Sequence, residues 1–83
     1  MDKVLIQVFV PVLERSFDMF IPLRSPMHEV QALIKHAVEE LSDGDFRPDD
    51  TTALCRREDG VPVDINKSVW ELNIKNGSKL MLI

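Results

Sequence analysis

Two segments of strict period-two alternation, followed at once by one stripe of helical period, constrain this chain more than any other feature. Val4, Ile6, Val8 and Val10 alternate with Leu5, Gln7 and Phe9, the pattern of a strand with one face on a core. Phe17, Met19, Ile21 and Leu23 repeat it, with Asp18 and Phe20 pointing the other way. Pro11 ends the regular pairing of the first segment because it has no backbone N–H to give. Residues 12–15 then read as the turn of a hairpin. Val30, Leu33, Ile34, Ala37, Val38 and Leu41 recur at helical spacing and predict one apolar stripe lying on a sheet.

The helix has sequence-coded ends. Ser25-Pro26 predicts its start, with Ser as the capping side chain and Pro at the first helical position. Glu29 stands near the positive end of the dipole, and Ser42-Asp43-Gly44 stops the helix. Residues 43–51 hold Gly44, Pro48 and four Asp and read as a solvated loop. A third strand is expected at about 52–57, and a short strand at 61–65 after the Glu58-Asp59-Gly60 turn. A helical turn at 68–72 would set Trp70 or Leu72 against the core. Asn76-Gly77 tolerates positive φ and launches a last strand with Leu80 and Leu82 inward. Which of Leu54 and Cys55 faces the core is left open by the pattern. The order of elements predicts an α+β β-grasp fold, a mixed sheet wrapped on one α-helix, as a single domain over residues 1–83.

Eighty-three residues with 45% apolar and 29% charged side chains fit one small globular unit. A formal net charge of −4 opposes nucleic acid and anionic membrane surfaces, because phosphate neutralisation needs clustered Lys and Arg. The longest apolar run, 4–13, is broken by Gln7 and Pro11 and falls short of the ~20 residues that span a bilayer. It lacks the basic flank and cleavage site of a signal peptide. One Cys agrees with a reducing compartment, so a cytoplasmic protein is expected. The last strand is expected to run to the final residue, Ile83, and to leave no flexible extension that could carry an activated carboxylate. Non-covalent binding is the expectation.

The segment Phe17-Asp18-Met19-Phe20-Ile21-Pro22-Leu23, followed by Val30, Leu33 and Ile34, resembles the ubiquitin superfamily, and within it the EsaB/YukD-like proteins of bacterial type VII secretion. The closing segment, from Val69-Trp70-Glu71-Leu72 through Asn76-Gly77-Ser78-Lys79-Leu80, resembles them too. The resemblance spans nearly the whole chain and rests on fold-bearing positions without catalytic letters. It implies a non-conjugated accessory or regulatory component of a secretion machine built around a membrane ATPase. The absent diglycine departs from ubiquitin itself, so conjugation chemistry does not carry over.

No residue set predicts catalysis, a cofactor or a metal site. Cys55 adjoins Arg56 and Arg57, and cations lower a thiol's pKa, but strand neighbours point to opposite faces and an unpaired Cys is commonly a small buried hydrophobe. His28 and His36 are eight residues apart, too far for an i, i+4 metal pair, and His36 with Glu39 and Glu40 reads as a solvent flank. Asp43, Asp45, Asp49 and Asp50 fail the alternating-ligand template of a calcium loop. No Gly-rich phosphate loop is present. An enzyme is not expected.

The surface expectation is specific. If the even positions of the first strand face the helix, then Leu5, Phe9, Phe20, Met81 and Ile83 share the outer face. They would form one contiguous apolar area of about 300–500 Å², the size at which exposed patches mark protein contacts. Two uses compete for it: docking a secretion ATPase or membrane component, and self-association into a homodimer.

Overall fold

The structure, a computed structural model, describes residues 2–83. Strand β1 (Lys3–Val10) leads through a 3₁₀ turn (Pro11–Leu13) into β2 (Arg15–Pro22); helix α1 (Met27–Leu41), β3 (Leu54–Arg56) and β4 (Lys79–Leu82) follow. The sheet order is β2-β1-β4-β3. β1 runs antiparallel to β2 and parallel to β4, and β3 runs antiparallel to β4. The sheet is therefore mixed and carries one helix on its inner face.

Alternation assigns the faces as the sequence predicts. Val4, Ile6, Val8 and Val10 are buried, as are Phe17, Ile21, Leu80 and Leu82 from the flanking strands. The hairpin turn closes where Glu14 takes a left-handed conformation (φ 54°) and its N–H donates to the Pro11 carbonyl at 3.0 Å. Gly77 (φ 89°) supplies the positive φ of the turn before β4, where the Ser78 N–H reaches the Lys75 carbonyl at 2.9 Å.

The helix departs from expectation in two ways. Its buried positions are Met27, Val30, Ile34 and Val38, whereas Leu33 and Leu41 are each 55% exposed. The apolar stripe is wider than the surface it can cover, so one flank of it meets solvent. The start also differs: Pro26 is the N-cap and no side chain caps the helix. The free N–H groups of the first turn find backbone instead, Met27 donating to the Lys67 carbonyl at 2.8 Å and His28 to the Ile65 carbonyl at 3.1 Å. The Ser25 carbonyl accepts the Val69 N–H at 3.2 Å. At the other end Ser42 is buried, its hydroxyl donating to the Glu39 carbonyl and accepting the Phe46 N–H. Asp43 and Gly44 follow with positive φ, ending the helix where the sequence places it.

The segment between β3 and β4 is less regular than predicted. Residues 61–65 do not form a strand. Val61 and Val63 bond back to Arg56 and Leu54, but Pro62 between them has no N–H, and the Ile65 carbonyl is committed to the helix start. Residues 68–72 form a turn, with Leu72 packed on the core and Trp70 69% exposed. Val69 and Ile74 are the buried anchors there. A reciprocal box holds the turn: the Ser68 N–H donates to Glu71 Oε1 at 3.0 Å and the Glu71 N–H to Ser68 Oγ at 3.1 Å. The same reciprocity stabilises helix N-termini.

Two measurements follow from this packing. Ile34→Ala should cost about 2–5 kcal/mol in urea unfolding, whereas Leu33→Ala should cost under about 0.5 kcal/mol; equal losses would restore Leu33 to the core. Hydrogen bonding from Ser68, backbone first and then hydroxyl, lowers the Glu71 pKa. A carboxylate whose folded pKa is lowered contributes stability above its ordinary value and loses it as pH falls through the folded one. The urea-midpoint gap between wild type and Glu71→Ala should thus be open at neutral pH and close in acid below the ordinary glutamate range. A gap independent of pH would contradict the box.

Candidate functional site

The outer face is built in rows that cross the strands. Leu5 opposes Phe20, Gln7 opposes Asp18, and Phe9 opposes Ser16; on the other side Gln7 opposes Lys79 and Phe9 opposes Met81. Cys55 opposes Met81 in turn, and Pro62 bridges to Cys55. The first row is therefore Phe20–Leu5, and it ends against the turn before β4, where the Gly77 N–H donates to the Leu5 carbonyl and Asn76 Oδ1 accepts the Leu5 N–H, each at 2.8 Å. The last row is Ser16–Phe9–Met81–Cys55–Pro62, with Ile83 beyond Met81 on the same side.

All five expected surface residues stand on this face. Phe20 is 66%, Ile83 52% and Leu5 39% exposed, and Phe9 and Met81 are half-buried. They do not form one area, however. The row Asp18–Gln7–Lys79 lies between Phe20–Leu5 and Phe9–Met81, so the face carries two apolar clusters divided by a polar band. Parallel pairing sets this division, because it places Leu5 level with residue 77 and not with Met81.

Arg57 is the member of this face that alternation in the short third strand did not reveal. Its guanidinium lies 4.4 Å from the centre of the Phe9 ring and donates to Gln7 Oε1 at 2.9 Å. It caps one aromatic anchor and continues the polar band, a cation–π contact of about 0.5–1 kcal/mol when exposed. The signal available in the sequence was its spacing from Cys55, two residues along the same face.

The orientation left open at Leu54 and Cys55 resolves simply. Both are buried: Leu54 faces the helix opposite Leu82, and Cys55 lies in the outer layer opposite Met81. Burial pushes the Cys55 thiol above its ordinary pKa, which keeps it protonated at neutral pH and a poor nucleophile.

The remaining polar candidates are engaged locally. His36 Nε2 lies 3.1 Å from Glu40 Oε1 on the exposed helix flank, and His28 is exposed on the first turn. The Asp49 carboxylate accepts the Thr51 hydroxyl at 2.6 Å and the Thr51 N–H at 2.8 Å, bonds that lower its pKa in that order. Lys35 Nζ ties the same loop to the helix through the Asp49 carbonyl at 3.1 Å. Among the described residues, no group of three or more His, Cys, Asp or Glu is placed to hold a metal ion, and no helix is long and apolar enough to cross a membrane.

Comparison with protein-family models finds no match, and comparison with curated proteins finds none either. Solved structures do match. The ubiquitin-like domain of the Mycobacterium tuberculosis type VII secretion system protein EccD1 superposes with a TM-score of 0.78 at 18% identity, over 100% of this chain and 99% of that one. The ubiquitin-like domain of the Arabidopsis thaliana protein At2g32350 gives 0.71 at 18% identity, over 100% and 78%. A chain of the MycP5-free ESX-5 inner membrane complex gives 0.70 at 18% identity, over 100% of this chain; this chain spans only 21% of that one. Likeness at such identity, reaching a plant protein and a bacterial secretion protein alike, carries the architecture alone: the chain has the ubiquitin-like β-grasp fold.

Proposed function

We propose that the chain is a ubiquitin-like protein-interaction module that acts without covalent conjugation or catalysis, as an accessory or regulatory component of a type VII secretion system. In this reading it is an EsaB/YukD-like bacterial protein, a single unit on the cytoplasmic side of the membrane. Its partner is a cytosolic part of the secretion ATPase or of a membrane component. The observation that carries the reading is the outer sheet face. Phe20, Leu5 and Ile83 stand exposed there, Phe9 and Met81 are half-covered, and a fully formed core lies behind them. Apolar anchors flanking a polar band match the division of labour in protein interfaces, where anchors supply affinity and charged groups set register. The likeness to a type VII secretion domain over 99% of its length supports the choice of machine.

A second reading rests on the edge of β2, which among the described residues pairs only with β1 and carries the exposed Phe20. An open edge is a template for pairing with another strand, and a symmetric dimer would use it.

The test is retention of proteins from a type VII-competent cell lysate on tagged wild type, Phe20→Asp and Phe9→Asp, with sedimentation of each purified protein. Wild type should retain secretion-machine components and both variants should lose them while melting close to wild type. Equal retention by all three would remove the outer face from the account. A wild-type dimer that Phe20→Asp dissolves, with no secretion component retained, would establish the second reading instead.

A further inference from the structure

The charges of this acidic chain are not evenly spread. Between β3, the turn after it and the segment leading into β4 lies an open groove of about 770 Å³. Arg56, Arg57 and Lys79 line it against the single carboxylate of Glu58, although the chain as a whole holds 14 acidic and 10 basic side chains. Its apolar lining comes from Leu72, Ile74 and Leu80, of which Leu72 is half-exposed and the other two belong to the core. A smaller cavity of about 230 Å³ continues it past Arg56 and brings in Val63, Lys67 and a second carboxylate, Asp64.

The frame of this groove is fixed. The Arg56 N–H and carbonyl are held by the Val61 carbonyl and the Gly60 N–H, each at 2.9 Å, and Asp59 Oδ1 accepts the Val61 N–H at 3.0 Å. Arg57 is held over Phe9. Among the described residues neither Arg56 nor Lys79 has an ion-pair partner, so neither charge is neutralised. By alternation Arg56 points away from the outer face that carries Phe20 and Leu5.

We propose that this groove is a second binding site, and that its occupant is an acidic segment of a partner protein that brings an apolar side chain onto Leu72. Charge complementarity selects the sign: cations concentrated on one surface of a net-negative protein steer anionic groups to it and repel basic ones. The apolar lining selects a polypeptide over a bare anion, since an anion has nothing to gain from Leu72. Nucleic acid is disfavoured, because Glu58 and the net charge of −4 oppose a polyphosphate, whose binding scales with the number of cations it meets. The groove shares Arg57 and Lys79 with the outer face, but Arg56 and Leu72 belong to it and not to that face, so the proposal can fail or stand without the outer-face reading.

The experiment is amide chemical-shift mapping of the full chain with four probes at low salt. These are capped decapeptides of glutamate with leucine, of glutamate with glycine and of lysine with leucine, together with inorganic phosphate. The glutamate–leucine peptide should saturate shifts confined to residues 56–58, 72–74 and 78–80 and weaken as salt screens the charges. The glutamate–glycine peptide and phosphate should bind more weakly and the lysine–leucine peptide not at all. Arg56→Glu, an exposed change whose own spectrum reports its fold, should reduce affinity about tenfold or more, and Phe20→Asp should leave it unchanged. The proposal is overturned if the glutamate–leucine peptide fails to saturate or maps elsewhere, or if Arg56→Glu binds as wild type does. Equal binding by the lysine–leucine peptide overturns it too, and equal binding by phosphate reduces the groove to an anion site.

Discussion

The parallel pairing of β1 with β4 is the constraint on which the rest depends. Gln7 meets Lys79 and Phe9 meets Met81, so nearly the whole chain lies in the loop that this pairing closes. Loop closure costs entropy that grows only slowly with length, and the core repays it. Leu80 and Leu82 enter beside Val8 and Val10, and β3 gains an edge to join. The Asn76 side chain and the Gly77 N–H extend the attachment along Leu5 beyond the end of the strand. The two flat surfaces of the sheet then acquire separate roles, one spent on the helix and the other left open.

Much of this was legible in the sequence, wherever side chains are governed by a local period. The hairpin, the helix body, its Ser42-Asp43-Gly44 stop and the last strand all obey that condition. The failures share one cause, which is backbone committed to a distant segment. Ser25 does not cap the helix because the carbonyls of Lys67 and Ile65 already satisfy its first turn, and residues 61–65 form no strand partly because Ile65 is engaged in that task. Leu33 and Leu41 fit the helical period, yet the area the sheet can cover, not the period, decides which stripe residues are buried. The five outer-face residues were found by parity alone, but their division into two clusters needed the register between strands far apart in sequence. Arg57 was missed because the face of Cys55, two residues before it, was left open by the pattern.

That division changes how the face works. A continuous apolar area would favour any complementary hydrophobic surface, itself included. A band of Asp18, Gln7, Lys79 and Arg57 across its middle imposes a polar pattern that a partner must match, because an unmatched charge covered by an interface is costly. In the proposed docking role, specificity rests on the band and affinity on the anchors either side. Lys79 and Arg57 belong both to this band and to the neighbouring groove, so the two surfaces meet along one line of cations. Cys55 is buried beneath this face with a raised pKa, and the Asp49 carboxylate is occupied by Thr51.

The central claim is that the β1–β4 register splits the outer face, and side-chain NOE spectroscopy of the free protein tests it most directly. The account predicts contacts of Phe9 with Met81 and of Leu5 with Gly77, together with upfield-shifted Arg57 side-chain protons over the Phe9 ring. Strong contacts between Leu5 and Met81, with none between Phe9 and Met81, would contradict it, since that register would bring the apolar residues into one area and remove the polar band.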